Sequence, residues 1–419
     1  MSHRILVVGG YYDQINSLVE AGHDVMALLP NGRHKEMVPR PQVKTHFTDV
    51  TSSELCLEIA TREHRIRPFG AVISHYELSI PGAARIAEHL NIPGPNGTAS
   101  HTIRNKAVTR DIANSCSDIE ANYCSVATRH EVMDFILAHG KSVIKPSAGV
   151  GGRDIQLMQN ENDVDRYLAG IDLAIESFQM EQFIDGTEFS VDGYIDAVLD
   201  SNVGQNVHRI AHQIISVTGK SQPLAPNFVE TTHIQTSSMK QLINGNHWER
   251  INIILTNFYT QIGYKQGATH SEFLLTKENK LYLLEGHLRT GGFSIWEMTK
   301  HTTGIDLFLH HTQRLLGERI AINIQDTGVT AVVTGLACQP GTVHNVVFDM
   351  EPKDYLPLPV SVMPCPAFDI GDNVGLVHPS RYVRYGGHVL CRYQEAENTP
   401  VADFIAQSEH IARQFKYEF

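Results

Sequence analysis

The sequence predicts a mixed protein, α/β at its N-terminus and α+β beyond it. Three observations carry that reading. Residues 4-RILVVGG-10 form an apolar run closed by glycines, followed by a helical pattern in 12-YDQINSLVEAGH-23 and a second apolar run in 24-DVMALLP-30. That is a βαβ opening, which requires a parallel sheet. Residues 180–300 read as antiparallel strands with helices around them. The 419 residues are enough for two or three packed layers rather than one small core.

The opening unit continues with a strand, 70-GAVISHYE-77, and a helix, 81-PGAARIAEHL-90. The Pro- and Gly-rich 91-NIPGPNG-97 then reads as a linker. Gly9-Gly10 is followed by Tyr11 and Tyr12, so the full G-x-G-x-x-G dinucleotide pattern is absent. The glycines read as a structural strand-to-helix turn, with nicotinamide binding kept as the alternative. From 101 to 180 helices alternate with a strand holding Lys145. Residues 328–395 are strand-rich, and a last helix is expected near 400–415.

Composition removes several function classes. No run of about 18 apolar residues exists, so no membrane span is expected. MSHRILVVGG enters a strand directly and lacks a signal peptide's cationic and apolar regions. The six cysteines form no C-x-x-C pair, which reads as reduced thiols in a cytoplasm. A formal net charge of −12 argues against nucleic acid as a main partner.

In 143-VIKPSAGVGGRDI-155 a lysine stands at the end of a strand, and Pro146 stops it. Gly149, Gly151 and Gly152 let the backbone approach a ligand and aim N–H groups at it. An ammonium beside such a loop suits a phosphate. The lysine precedes the glycines, so the Walker pattern is absent. Alone, the stretch reads equally as a surface hairpin.

In 180-MEQFIDGTEFSVDGYI-195, Asp185-Gly186 predicts a two-residue hairpin turn pairing Ile184 with Thr187. Glu188, Ser190 and Asp192 alternate on one face, Phe189 and Val191 on the other. A backbone hinge over Glu181, Gln182, Phe183 and Ile184 suits an adenine rim, and the Glu188 carboxylate suits both ribose hydroxyls. An amphipathic hairpin with its polar side in water is the alternative.

The stretch 268-ATHSEFLLTKENKLYLLEGHLRTGG-292 predicts a hairpin with a four-residue loop, Lys277 to Lys280. Leu274 then faces Leu283, Glu272 faces Glu285 and His270 faces His287, all on one face. Directly opposed Cβ atoms lie about 4.5–5.5 Å apart. Two carboxylates there repel unless a cation sits between them, and hard oxygen donors suit Mg²⁺ with substrate phosphates. Protonation of one glutamate, or a slipped register, is the alternative. His270 reads as substrate-facing, second to the metal, or structural. Arg289 suits transferring charge, and Thr290-Gly291-Gly292 follow.

The order of Lys106, Lys145 with its glycines, the hinge at 181–188, Glu272, Glu285 and Arg289 resembles the ATP-grasp superfamily over about residues 1–310. The resemblance implies an N-terminal α/β pre-domain over 1–97, a small lobe over 98–190, a large lobe over 191–320 and a strand-rich C-terminal part over 321–419. It implies ATP between the lobes. Lys106 and Lys145 would contact phosphates, residues 181–184 the adenine and Glu188 the ribose. Glu272 and Glu285 would hold Mg²⁺ or Mn²⁺. Many members read E-x-N-x-R with a metal-binding asparagine; here 285-EGHLR-289 places His287 there. Either His287 coordinates through nitrogen or the two glutamates act alone.

Within the superfamily, 227-NFVETTHIQ-235 and the C-terminal part look like the L-amino acid ligase group, which includes bacilysin synthetase, dapdiamide synthetase and carnosine synthase. The implied chemistry is ATP-dependent amide formation through an acyl phosphate, between small carboxylate and amine substrates of the amino-acid class. Gly291 and Gly292 would lie near substrate, and a homodimer is a further expectation beside the cytoplasmic location read from the thiols. A biotin-dependent carboxylase, a purine-pathway ligase and a non-catalytic nucleotide sensor are the competing readings.

Overall fold

The computed structural model describes residues 2–10, 12–30, 42–147, 154–173, 177–199, 208–221, 231–238, 242–243, 247–351, 356–374, 385–395 and 399–419. Gly149, Gly151, Gly152 and the first part of 227–235 lie outside them.

The N-terminal unit is a four-stranded parallel sheet. Arg4–Val8 lies between Asp24–Pro30 and Ala71–Ile73, with Lys44–Thr48 beyond Asp24–Pro30. Ile5 and Val7 face one apolar layer with Ile15 and Leu18; Leu6 and Val8 face another with Cys56, Ala60, Ala83 and Ile86. Burial on both faces explains the unbroken apolar runs. The edge strand Lys44–Thr48 and the helix Ser53–Ile66 were not legible in sequence. The strand is polar and half-exposed, so it lacks the apolar signature of its neighbours. Gly9 has φ +65°, and a Cβ there would sit 2.5 Å from Ser79 Oγ. The close approach makes this a structural turn.

The small lobe is a four-stranded antiparallel sheet in the order Tyr123–Val126, Phe178–Gln182, Ser142–Pro146 and Gln156–Met158. The helices Arg129–His139 and Glu161–Leu168 pack on it through Val132, Phe135, Ile136 and Val164. Thr128 and Glu131 close a reciprocal capping box at the start of the first helix.

The large sheet has eight strands in the order Leu281–His287, Gly267–Leu275, Thr187–Leu199, His208–Lys220, Thr232–Thr236, Val329–Ala337, Tyr385–Gln394 and Ser361–Pro366. Strands from after residue 320 continue the same ladder, and Thr187–Leu199 runs across residue 190. The last helix spans Val401–Ala412. The helix Trp248–Ile262 fills the main core with Ile251, Leu255 and Phe258. The helix Leu307–Leu315 sends Phe308 into one apolar layer of the N-terminal unit.

Asp185-Gly186 is not a hairpin turn. The strands before and after it belong to different sheets, so this dipeptide carries the chain from the small lobe to the large one. Strand pairing across lobes, not the local dipeptide, decides the connection. No helix of the described residues is long and apolar enough to cross a membrane, and the six cysteines are free.

Candidate functional site

Lys106 opens the helix Lys106–Cys116, whose first turn is capped by the Asn105 side chain accepting from Val108 N–H. Arg110 follows one turn later on the same face. Lys145 lies on Ser142–Pro146, where Val143 opposes Glu181 and Lys145 opposes Gln179. Lys145 and Glu181 are therefore diagonal neighbours on one face, and they form a short ion pair. Glu181 Oε1 also accepts from Gln179 Nε2 at 2.6 Å and lies 3.3 Å from Arg110 Nε. Burial alone would raise the Glu181 carboxyl, but Arg110 and Lys145 hold it down at about 2. Burial lowers the Lys145 ammonium, with Glu181 opposing it.

Both lysines converge on the facing lobe. Glu285 Oε1 is 4.0 Å from Lys106 Nζ and 3.9 Å from Lys145 Nζ. The first half of the hinge, Glu181 and Gln182, ends an inner strand paired on both sides, and Phe183 and Ile184 follow it. Gln182 N–H donates to Asn122 O at 2.8 Å and Phe183 N–H to Lys141 O at 3.0 Å. Among the described residues the Ile184 amide has no internal acceptor.

On the large lobe Glu188, Ser190 and Asp192 share one face, while Phe189 and Val191 enter the core. Across the ladder Ser190 faces Glu272 and Asp192 faces His270. Lys220, at the end of its strand, donates at 2.7 Å to Glu188 Oε1 and at 2.7 Å to Glu272 Oε1. Burial opposes ionisation of Glu272, yet Lys220 and His270 hold its carboxyl well below the ordinary range. His270 Nδ1 is 3.1 Å from Asp192 Oδ2, and Nε2 is 3.6 Å from Glu272 Oε1. Burial would lower the imidazole; Asp192 and Glu272 outweigh it and raise it.

The hairpin keeps two of the three expected rungs. Glu272 opposes Glu285 and His270 opposes His287, their rings stacked at 5.8 Å. The third rung is corrected: Leu274 opposes Tyr282, and Leu283 opposes Phe273. The loop is also one residue shorter than expected. Thr276 N–H donates to Lys280 O at 3.0 Å, and Asn279 adopts φ 59°. Asparagine tolerates that left-handed backbone, so a three-residue loop closes. A bulge at Leu284 then restores the spacing for the glutamates.

Glu77, from the N-terminal unit, accepts from Arg289 Nε at 2.5 Å and from His287 Nδ1 at 3.2 Å. Burial would raise its carboxyl, but Arg289 and His287 hold it strongly down. His287 Nε2 lies 3.7 Å from Glu285 Oε2. Gly291 N–H donates to Asp192 Oδ1 at 2.7 Å, and a Cβ at Gly291 would meet Ile295 Cγ2 at 2.6 Å. A Cβ at Gly292 would enter open space. Phe293 and Ser294 follow with φ 53° and 56°, a strained pair for residues bearing side chains.

The structure thus gathers Lys106, Lys145, Glu181, Glu188, His270, Glu272, Glu285, His287, Arg289 and Gly291 around facing surfaces of the two lobes. Sequence reasoning missed Glu77, Arg110 and Lys220. Arg110 had a signal in its spacing from Lys106, whereas Glu77 and Lys220 had none. Among the described residues no group of three or more His, Cys, Asp or Glu is arranged to hold a metal ion.

A parallel N-terminal sheet, a small antiparallel lobe and a large antiparallel sheet define a two-lobed α/β and α+β protein. The ATP-grasp N-terminal domain model matches residues 19–94, and the ATP-grasp domain model matches 140–297. Together they cover more than half of the chain, which belongs to the ATP-grasp family. Solved structures agree on the fold. An L-amino acid ligase from Bacillus licheniformis superposes with a TM-score of 0.76 at 19% identity, covering 100% of this chain and 99% of that one. A phosphoribosylglycinamide synthetase from Anaerococcus prevotii gives 0.65 at 13%, covering 100% of both. The biotin carboxylase domain of a Hydrogenobacter thermophilus 2-oxoglutarate carboxylase, solved with MgADP, ADP and bicarbonate, gives 0.68 at 15%, covering 100% and 91%. No curated protein matches by sequence.

Proposed function

We propose that this ATP-grasp ligase joins a small carboxylate to an amine, with amino acids as the substrate class, and releases ADP and phosphate. The observation that carries the reading is the convergence of Lys106 and Lys145 on Glu285, opposite Glu272. Ammonium groups and paired carboxylates facing each other suit a polyphosphate carried with a divalent cation.

The donor set fits magnesium held jointly with nucleotide. The chain alone offers a carboxylate pair, and Mg²⁺ commonly takes one or two carboxylates with substrate phosphates. Glu272 and Glu285 would hold the metal, with His287 Nε2 aimed at Glu285. Bound MgATP supplies the phosphoryl group that converts the carboxylate into an acyl phosphate, which the amine attacks. The remaining work belongs to the chain. Lys106 and Lys145 neutralise phosphate oxygens, Ile184 N–H serves the adenine rim, and Glu188 accepts from ribose hydroxyls. Arg289 stabilises charge on the transferring group. The likeness to the L-amino acid ligase supports an amide product, dipeptides being the expected kind.

Incubation with amino-acid pairs, ATP and Mg²⁺ should release ADP and an amide of matching mass. A carboxylate labelled with oxygen-18 should pass one label to inorganic phosphate. Label in AMP, with pyrophosphate released, would exclude the acyl phosphate.

A further inference from the structure

The three-residue loop sets a ladder in which Leu281 faces Leu275 and Leu283 faces Phe273. Continued unbroken, it would place Leu284 opposite Glu272. Residues 281, 283, 285 and 287 would then share one face. That face is apolar, since Leu281, Leu283 and Phe273 lie in the main core. The extra residue Leu284 reverses the alternation, so Glu285 and His287 turn to the side of Glu272 and His270.

Arg110 sits at that break. Nη1 donates to Leu283 O at 2.8 Å and Nη2 to Leu284 O at 2.5 Å. Consecutive carbonyls of a regular strand point to opposite edges. One guanidinium reaches both only where a bulge turns the second outward. Leu281–His287 is the edge of its sheet. Along the rest of that edge Leu281 N–H donates to Asp118 Oδ2 at 2.9 Å and Leu283 N–H to Ser117 Oγ at 3.0 Å. The guanidinium also lies 4.8 Å over the Tyr282 ring and 3.3 Å from Glu181, and Arg110 is only 3% exposed. Its planar fork matches paired acceptors as an ammonium does not.

We propose that Arg110 is a positioning residue: it holds the Leu284 bulge, which turns Glu285 and His287 onto the site face. Through Glu181 it also ties this strand to Lys145 in the small lobe. The consequence for metal rests on the reading of Glu272 and Glu285 given above.

Disulfide trapping reads the register directly, because only closely opposed Cβ atoms can be bridged. Protein carrying Glu272→Cys with Glu285→Cys is expected to cross-link on oxidation, and protein carrying Glu272→Cys with Leu284→Cys is not. Adding Arg110→Met should reverse that preference in peptide maps. An unchanged preference overturns the proposal. If Arg110→Met does not fold, Arg110→Lys replaces it, keeping charge beside Glu181 without spanning two carbonyls; the same reversal is expected.

The second arm measures Mn²⁺ binding in the presence of ADP. Arg110→Met should weaken it about 10- to 100-fold, the range for partners that orient metal ligands. Deleting Leu284 from that variant should restore most of the loss, because the unbroken ladder then places Glu285 opposite Glu272. A deletion that compounds the loss means Arg110 acts by packing alone and overturns the proposal. Glu285→Gln separates the two ideas. If it leaves Mn²⁺ binding unchanged while the register still reverses, the metal reading fails and the role of Arg110 stands.

Discussion

Lys145 and Lys220 are both buried and both held by glutamates, but their surroundings carry opposite excess charge. Around Lys145, the cations Lys106, Arg110 and Lys145 share Glu181 and Glu285. Around Lys220, one ammonium serves Glu188 and Glu272, and Asp192 adjoins through His270. Among the described residues the first cluster is short of negative charge and the second of positive. His270 registers the second deficit, since its imidazole is raised despite burial. Such a division suits phosphates on one side and a divalent cation on the other. It also means that the acids assigned to nucleotide, Glu181 and Glu188, already hold lysines.

Removing the Lys220 ammonium, which pairs with both Glu188 and Glu272, tests the comparison hardest. Lys220→Met strands buried carboxylates and should cost about 3–5 kcal/mol of unfolding free energy. Mn²⁺ should then stabilise the variant more than the wild type in urea melts. Equal stabilisation of both would show that the cluster does not await a cation.

Lys145→Ala acts on the basic cluster and should reduce ADP release by about a hundredfold or more, with Glu181 still paired to Arg110. Turnover within a few-fold of wild type would remove Lys145 from the phosphate site.

Acid sharpens the contrast through Glu181. Its carboxyl falls from 4.5 to about 2 on folding. A lowered carboxylate gives stability that is full above pH 4.5 and is lost as pH falls through about 2. The interval is worth about 3 kcal/mol. Urea midpoints stepped through this window should slope more steeply for wild type than for Glu181→Gln. Parallel slopes would mean that the Arg110 and Lys145 pairing adds little.

The smallest effect is expected from Glu188→Ala. Loss of one acceptor should raise the Michaelis constant for ATP about tenfold and narrow the preference for ATP over 2′-deoxy-ATP. Undiminished ribose preference would leave Glu188 as a partner of Lys220 alone.

Much of this site was legible because its signals are local. Strand alternation placed Glu188 with Asp192 and His270 with Glu272. An ammonium at a strand end marked Lys145. The βαβ opening identified the parallel unit from its doubly buried strands. Asp185-Gly186 misled because a dipeptide fixes a turn but not which sheet the next strand joins. Lys220 was invisible because its acids lie 32 and 52 residues away.

The sequence by itself determined which residues carry charge, which faces alternate, and that Glu272 and Glu285 share one hairpin, since these follow from backbone periodicity. The tertiary structure decided that they oppose each other on the site side. The three-residue loop alone would have set Leu284 against Glu272. The reversal at Leu284 goes with core packing of Leu281 and Leu283 and with a guanidinium from a helix more than 170 residues earlier. Local periodicity cannot encode a contact whose partner arrives from another element.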